Sequence, residues 1–220
     1  ITANGNLVME NCTLEMNSSL AGGFDIEIGG RLTANYSNFT RSNQNFNYDF
    51  YTAANSYTQL ILKNSFVSRA GHSDAVNFRG LSLNTNNVTF TNNTLTLGSV
   101  ANLDLSANSL LVEKSVFLGA GITTYNLFVN SNDSLILDSN FSGAATDDIR
   151  LKTRTNITLL NTNHTDEDIE PNSGNSSFTK KWQVDVKVLT SGGAGVDSAN
   201  VYFYNTSGAL TYSSITNASG

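Results

Sequence analysis

Short alternating stretches of apolar and polar residues, separated by polar bends, run through the first three quarters of the chain. The sequence LVMENCTLEM of residues 7–16 matches VTFTNNTLTL of residues 88–97 in its apolar positions around a central Asn. Alternation with a period of two predicts a β-strand with one buried face, and Asn favours the backbone angles of a tight turn. Each segment therefore predicts two strands joined by a bend.

This outline recurs seven times, and its spacing predicts a solenoid. The first apolar residue of each unit lies 22 to 28 residues after that of the unit before. A third alternating stretch completes the unit, as in residues 24–28 and 102–105. A repeat of this length predicts stacked coils in which each strand pairs in parallel with its counterpart, at a spacing of about 4.8 Å. The units begin at Leu7, Leu32, Leu60, Val88, Leu110, Leu135 and Ile157.

Equivalent positions of the units predict which residues turn the chain and which fill the interior. The bend after the first strand aligns Asn11, Tyr36, Asn64, Asn92, Lys114, Ser139 and Asn161. An Asn at such a bend tolerates left-handed backbone angles and can hydrogen-bond the Asn of the next coil. The apolar residue after the bend aligns as Leu14, Phe39, Phe66, Leu95, Phe117 and Phe141. His164 takes this place in the seventh unit, which predicts that the array ends there, and Cys12 is expected to be a small buried residue.

The composition favours the same architecture and excludes several classes of protein. The 220 residues include 31 Asn, 26 Ser and 24 Thr, but only 14% are Asp, Glu, Lys or Arg. Asn, Ser and Thr compete with the helix backbone for hydrogen bonds, so an all-β chain is predicted. The net charge of −6 is unsuited to nucleic acid, whose phosphates need basic partners. No apolar run reaches the roughly 18 residues of a membrane span.

The repeat resembles that of a known family. The outline L-x-L-x-N-x-x-F at a period of 22 to 28 residues is similar to the parallel β-helix repeat of pectate-lyase-like enzymes and of many archaeal and bacterial surface proteins. The resemblance covers residues 1–165 and implies a right-handed, single-stranded parallel β-helix of about seven coils. Because such a repeat encodes stacking and not chemistry, it implies no particular activity.

A different pattern follows the array. Residues 166–181 read DEDIEPNSGNSSFTKK, with the single Pro and an acidic cluster, and are predicted to be a linker. Residues 182–188 and 199–204 alternate on either side of a Gly-rich turn, and a third strand is predicted over residues 209–216. The segment 182–220 resembles the first half of a carboxypeptidase-regulatory-like, immunoglobulin-like β-sandwich. Because three strands cannot cover both faces of a sheet, we expect a chain that continues past Gly220, or else strands donated by a neighbouring molecule.

The sequon Asn-x-Ser/Thr occurs at 13 positions, about twice the number expected by chance. This excess favours a secreted glycoprotein, although strand alternation also places Asn and Thr two residues apart. Asn11 and Asn92 stand at the bend, where a glycan would break the stack, and are excluded as acceptors. The favoured acceptors lie near predicted turns and are Asn38, Asn140, Asn175 and Asn205.

Candidate catalytic residues concentrate in the stretch SRAGHSDAVNFRG, which contains Arg69, His72, Asp74 and Arg79. Enzymes that resemble this fold carry such groups on an outer sheet, where a base abstracts a sugar proton or two carboxylates hydrolyse a glycosidic bond. A His and an Asp two residues apart in a loop are usually solvated or bonded to each other, so a structural role is preferred.

Two further groups of charged residues have a predicted place. One alternates with Ile149 and Leu151 and is predicted to form the outward face of a strand, with charge pairing between coils: Asp147, Asp148, Arg150, Lys152 and Arg154. The other, Asp166, Asp168 and Glu170, offers the oxygen ligands that Ca²⁺ prefers but lacks the spacing of a calcium-binding loop. We therefore expect no cofactor and no metal, with Ca²⁺ at this acidic run as the alternative.

These patterns predict a non-enzymatic extracellular building block: a glycosylated rod joined to an immunoglobulin-like domain in a surface layer, filament, stalk or adhesin. Expected partners are neighbouring copies or other surface-layer proteins, since open strand edges at both ends of a rod invite stacking. The alternative is a polysaccharide-binding protein, or a polysaccharide-cleaving lyase or glycoside hydrolase that acts through Arg69, His72, Asp74 and Arg79. Five aromatic residues of the second unit suit sugar stacking if exposed and interior packing if buried: Phe46, Tyr48, Phe50, Tyr51 and Tyr57.

Overall fold

The computed structural model is built from β-strands throughout the residues that it describes, which are 1–17, 19–20, 23–43, 46–71, 80–119, 123–152, 155–169 and 176–220. Alternating apolar and Thr-rich segments form these strands because a branched side chain packs well on a pleated surface. The strands are β1 Asn6–Glu10, β2 Thr13–Met16, β3 Asp25–Ile28, β4 Arg31–Asn35, β5 Asn38–Arg41, β6 Asp49–Thr52, β7 Gln59–Lys63, β8 Phe66–Ser68, β9 Leu81–Leu83, β10 Val88–Thr91, β11 Thr94–Thr96, β12 Ala101–Leu105, β13 Leu111–Glu113, β14 Val116–Leu118, β15 Tyr125–Val129, β16 Ser134–Leu137, β17 Asn140–Ser142, β18 Asp147–Leu151, β19 Asn156–Leu160, β20 Glu167–Ile169, β21 Ser177–Lys181, β22 Asn200–Tyr204 and β23 Leu210–Ile215.

Three parallel sheets surround one interior. The first sheet has the order β1-β4-β7-β10-β13-β16-β19-β21, the second β2-β5-β8-β11-β14-β17, and the third β3-β6-β9-β12-β15-β18-β20. Each strand pairs with the strand one turn later, so the chain forms a parallel β-solenoid, as predicted. Six turns contain all three strands. In the seventh, a single bridge between Asn140 and Asn163 replaces the second strand, and β21 begins another turn.

Inward-pointing side chains stack in rows along the interior. In the first sheet Leu32, Leu60 and Val88 occupy one row, and Leu32 and Leu60 are almost fully buried. In the second sheet Phe117 and Phe141 stack with ring centroids 4.5 Å apart. Each apolar side chain that is fully buried in these rows stabilises the folded state by about 1.5–3 kcal/mol. The rows are therefore the main source of stability for the stack.

The sequence prediction places two residues, Phe66 and Leu135, in the inward rows, and in both cases the neighbouring residue takes that place. Phe66 was expected to point inward, but Val67 is the residue in register with Phe39 and Leu95 and is 1% exposed. Leu135 was expected to start its unit, but it lies in register with Leu111 and Thr158. Side chains of adjacent strand residues point to opposite faces, so a shift of one residue reverses the assignment of inside and outside.

The seven bends after the first strand share one backbone conformation. All have φ between 49° and 55°, at Asn11, Tyr36, Asn64, Asn92, Lys114, Asp138 and Asn161. Asp138, and not Ser139, is the bend residue of the sixth turn. The backbone N–H of each donates to a carbonyl one turn further along, at 2.9–3.2 Å. The predicted Asn ladder is confirmed between Asn92 and Asn64, whose amides are bonded at 2.7 Å.

A buried polar ladder, here called the serine ladder, follows the bends and was not predicted. Its members are Ser37, Ser65, Asn93, Ser115, Ser139 and Thr162. The backbone N–H of each donates to the side-chain oxygen of the next at 3.0–3.3 Å. Cys12 occupies the first position, with its Sγ 3.7 Å from Ser37 Oγ. Cys12 is exposed in this structure, whereas the sequence predicted a buried residue.

The end of the solenoid differs from the predicted linker at residues 166–181. Within this range β20 extends the third sheet and β21 extends the first. Polar and apolar residues share the inward positions there. Glu167 lies one turn after Ile149 and Lys180 one turn after Leu159, and His164 follows the bridging Asn163. Phe178 lies one turn after the buried Ile157 and packs against the interior. His164 Nε2 lies 2.8 Å from Glu167 Oε2.

The chain divides into two compact units, residues 1–182 and 183–220. In the second unit β22 and β23 pair antiparallel, and Leu189 bridges Gly195. Residues 182–188, predicted as a strand, adopt no regular structure, and Val184 and Val186 are 65% and 44% exposed. The small antiparallel sheet is compatible with a β-sandwich.

Candidate functional site

The predicted catalytic group lies only partly within the described residues. Arg69 stands at the corner after β8 with φ of 62°. Its carbonyl accepts a hydrogen bond from the Tyr48 N–H at 3.2 Å. His72, Asp74 and Arg79 lie outside the described residues.

Cationic and aromatic side chains surround Arg69 and form what we call the corner cluster: Arg41, Phe46, Tyr48 and Arg69. The hydroxyls of Thr40 and Ser68, which precede the two Arg residues, are 3.3 Å apart, so both cations leave the chain at equivalent places on neighbouring turns. Arg41 is 6% exposed, and its guanidinium carbon lies 5.8 Å from the Phe46 ring centroid. Tyr48 is fully buried, and its hydroxyl has no hydrogen-bond partner among the described residues.

Burial and neighbouring charge shift the pKa values of Arg41 and Tyr48. Burial, and then the Arg69 charge, lower the pKa of Arg41. Burial raises the pKa of the Tyr48 hydroxyl, although the Arg41 charge acts in the opposite direction. Both effects reflect the cost of holding a charge away from water. The titratable members that the structure describes are thus two cations and a neutral phenol.

The charged residues of β18 do not share one outward face. Asp148 is buried, which corrects its predicted exposure. Its carboxylate accepts hydrogen bonds from Asn126 Nδ2 and from the Thr165 N–H, both at 2.7 Å. Asn126 in turn accepts from Asn102 Nδ2 at 2.7 Å. Asp148 therefore terminates a second buried ladder, since a buried amide or carboxylate needs such partners.

Arg150 and Lys152 form a cation–aromatic strip with Tyr125 and Phe128 on the third sheet. The Arg150 guanidinium pairs with Asp168 on the next turn, which confirms charge pairing between coils for this residue. Arg150 also lies over the Tyr125 ring at 5.6 Å, and Lys152 Nζ lies over the Phe128 ring at 5.6 Å. Asp147 is in register with Tyr125. Arg154 lies outside the described residues.

The candidate calcium ligands already have protein partners. Asp166 Oδ1 accepts the Asp148 N–H at 3.0 Å, and Asp168 pairs with Arg150. Glu170 lies outside the described residues. Among the residues that the structure describes, no three or more His, Cys, Asp or Glu side chains are arranged to hold a metal ion.

The favoured glycan acceptors differ in their surroundings. Asn38, Asn140 and Asn205 are exposed, and Asn175 lies outside the described residues. Asn38 Nδ2 donates to Thr13 Oγ1 at 3.3 Å. Asn205 closes a turn, because its Oδ1 accepts the N–H groups of Ser207 and Ala209. These three leave the interior undisturbed if they are modified.

The aromatic residues of the second turn divide between the two predicted roles. Tyr48 and Phe50 are buried, and Phe50 packs on Phe39 with centroids 5.0 Å apart. Tyr57 is 63% exposed. Arg41, a central member of the corner cluster, was missed by sequence reasoning, because strand alternation gives it the same inward direction as Phe39 and a charged residue was not expected there.

No protein-family model matches the chain, and no curated protein is similar to it in sequence. The part of the chain that the structure describes has no helix long and apolar enough to cross a membrane.

Proposed function

We propose that this chain is a non-enzymatic structural building block of an extracellular surface assembly, with the solenoid as a stiff spacer. The observation that supports this role is the use of polar residues for stacking. The serine ladder bonds each turn to the next from Ser37 to Thr162, inside an interior filled by continuous apolar rows. A solenoid whose turns are joined by such a ladder resists bending and extension, because two neighbouring turns separate only when all the bonds and contacts between them break together.

Two finer features belong to this proposal. The repeat is of the pectate-lyase-like β-helix type, supported by its period and its three parallel sheets. The second unit is part of an immunoglobulin-like β-sandwich, supported by the antiparallel pair β22–β23 and by exposed Tyr202, Tyr212 and Ile215, which a second sheet would cover.

Glycosylation of Asn38, Asn140, Asn175 and Asn205 is also proposed, with the protein outside the cell. The exposure of Asn38, Asn140 and Asn205 supports it. Mass measurement of protein secreted from a glycosylating host, before and after glycan removal, tests this. Single Asn→Gln variants then assign each site, and Asn92→Gln is the control that we expect to leave the glycan mass unchanged, because Asn92 Nδ2 is bonded to Asn64.

Turnover assays test the structural role. The purified chain is incubated with acidic and neutral polysaccharides, and new reducing ends and unsaturated products are measured. We expect no turnover above that of a heat-denatured sample. Turnover that is lost in Arg69→Ala but kept in Arg31→Ala, a change on β4 far along the sequence from the predicted group, would show that the chain is an enzyme.

Polysaccharide binding without cleavage is the second candidate, supported by the cation–aromatic strip. The Tyr125 ring is partly exposed and lies under the Arg150 guanidinium, whereas Phe128 is only 4% exposed. An aromatic ring with an adjacent donor suits a sugar ring. Calorimetric titration with acidic oligosaccharides tests it. Binding that is weakened by Tyr125→Ala, but not by Tyr57→Ala, would support this candidate.

A further inference from the structure

The outward side chains of the first sheet form three rows that run along the stack. Its strands pair in register, so equivalent residues of successive turns lie about 4.8 Å apart. Alternate side chains of each strand point away from the interior. With the pairing continued to the residues that precede β13 and β16, the first row is Arg31, Gln59, Asn87, Ser109 and Asp133, the middle row is Thr33, Ile61, Thr89, Leu111 and Leu135, and the last row is Asn35, Lys63, Thr91, Glu113 and Leu137.

Apolar side chains interrupt these polar rows on internal turns of the stack. Leu111 is 42% exposed, and it lies beside the partly buried Leu135 and Leu137 of the next strand. Asp133 and Leu135 line one groove on this face together with Thr158. Apolar side chains that adjoin one another on the surface, with polar residues around them, are typical of an interaction surface.

The charged residues of the three rows are separated by sign. Arg31 and Lys63 lie on β4 and β7, whereas Glu113 lies on β13 and Asp133 immediately precedes β16. Within the part of the chain that the structure describes, none of these four residues forms a salt bridge. Glu113 Oε2 accepts the hydroxyl of Thr91 at 3.3 Å. The face is therefore positive on one side of β10 and negative on the other.

This arrangement of charge is complementary to itself. Rotation of a second copy by 180° about an axis parallel to β10 keeps every residue in its row and reverses the order of the turns. β7 then lies opposite β13 of the second copy, and β4 lies opposite β16. Lys63 consequently faces Glu113 of the second copy, and Arg31 faces Asp133 of the second copy. The symmetry repeats each pair, so four pairs of opposite charge form across one interface.

The neutral residues match under the same rotation. In the middle row Ile61 faces Leu111 of the second copy, and Thr89 of β10 faces its own equivalent. Two sheets that pack face to face lie about 10 Å apart with their strands nearly aligned. The interface would thus have an apolar and hydroxyl centre with charge pairs near its rim, which is the usual anatomy of a protein interface.

The charges also select this occupant and this orientation. Rotation about the axis of the stack would exchange the outer rows instead, and would set Lys63 against Gln59 and Asp133 against Leu137, with no charge pair. A partner with one sign of charge would meet a like charge on half of the face. We infer that the first sheet binds the first sheet of a second copy of this chain, with the two stacks antiparallel and β10 at the centre.

This inference rests on the proposed structural role and deepens it, because it names the surface through which one building block binds another. The favoured glycan acceptors Asn38 and Asn140 lie on β5 and β17 of the second sheet. Glycans there would leave the outer face of the first sheet uncovered.

Analytical ultracentrifugation of the full chain, produced without glycans, tests the inference at micromolar to millimolar concentration. We expect an equilibrium between monomer and dimer that shifts toward monomer as salt is added. Lys63→Glu and Glu113→Lys should each weaken the dimer by at least about tenfold, since each change sets two pairs of like charge across the interface.

A mixture of the two single variants gives the decisive measurement. One variant carries Glu at both positions and the other carries Lys at both, so each repels its own copies and attracts the other. We expect the mixture to form a heterodimer although neither variant associates alone, and the double variant to dimerise like the unchanged chain. Lys187→Glu makes the same change of charge at an exposed position of the second unit and should leave the dimer intact.

Three results would overturn the inference. One is an unchanged chain that stays monomeric over the whole concentration range. Another is equal weakening by Lys63→Glu and Lys187→Glu, which would show a general effect of net charge. The third is a mixture that stays monomeric while circular dichroism shows both variants folded, because the charges would then not meet. None of these results bears on the absence of catalysis, which the turnover assays test separately.

Discussion

Ser115 shows how a single small residue joins three turns. Its N–H donates to Ser139 Oγ at 3.1 Å, its own Oγ donates to Glu113 O at 2.8 Å, and that oxygen accepts the Asn93 N–H at 3.2 Å. The side chain is fully buried. A buried N–H without a hydrogen-bond partner destabilises the folded state. The stack therefore needs a small hydroxyl side chain at this position to accept the Asn93 N–H.

We predict that Ser115→Ala destabilises the solenoid by about 1–3 kcal/mol, because the Asn93 N–H and the Glu113 carbonyl each lose a buried partner. Denaturant unfolding followed by circular dichroism measures the change. Ser56→Ala, at an exposed position, is the matched control and is expected to change stability by less than about 0.5 kcal/mol. Equal effects of the two substitutions would contradict the structural role of the ladder.

We predict that the buried hydroxyl of Tyr48 makes the folded chain less stable at high pH. Its pKa is raised in the folded chain, so above about pH 10 the unfolded chain releases the proton while the folded chain keeps it. Stability is therefore unaffected by this group below pH 10 and falls as the pH rises further, by up to about 1.4 kcal/mol per pH unit. Unfolding titrations between pH 9 and pH 11 measure this.

In Tyr48→Phe we expect a shallower decline above pH 10 and no loss of stability at pH 7, since the buried hydroxyl that is removed has no partner among the described residues. Tyr57→Phe, at an exposed position, should retain the slope of the unchanged chain. A profile for Tyr48→Phe that overlays that of the unchanged chain would rule out Tyr48 as the cause.

At the scale of the strand, register decides which residues are interior. The spacing of the units predicts the parallel pairing of the strands correctly, but it misassigns Phe66 and Leu135 by one position. In β8 two apolar residues are adjacent, and Phe66 was aligned with the apolar residue that follows the bend in the other units. Pairing with Phe39 and Leu95 selects Val67 instead, because side chains in one row must share a face.

A charge placed at each of these two positions tests the register. Val67→Asp is expected to cost about 4 kcal/mol or more, because it puts an unpaired carboxylate into the apolar interior. Phe66→Asp is expected to cost about 1 kcal/mol, since the residue is only partly buried. Thermal unfolding of the two variants measures the difference, and the reverse order of stability would show that the register is wrong.

For the molecule as a whole, the position of a strand in the stack sets how firmly it is held. In a stack of turns that contact only their neighbours, the last turn opens more readily than an internal one. β10 pairs with both β7 and β13, whereas β21 is the terminal strand of its sheet and pairs with β19. The stack is therefore expected to open at β21 before it opens at β10.

Hydrogen exchange measures this difference. We predict strong protection for the amides of β10 and weaker protection for those of β21. Protection of β21 equal to that of β10 would contradict the expected distribution of stability.

The sequence by itself determined the parallel β-solenoid, because period, alternation and bend residues are properties of the chain that every turn repeats. It also located Arg69 and the charge pair of Arg150, but not their neighbours. Only the tertiary structure decided that Arg41 and Tyr48 meet at one corner, that Asp148 is buried, and that β20 and β21 continue the stack past residue 165. Each of these features depends on the residues that the adjacent turn places beside it. Those residues lie 22 to 28 positions away in the sequence and become neighbours only when the strands of successive turns pair.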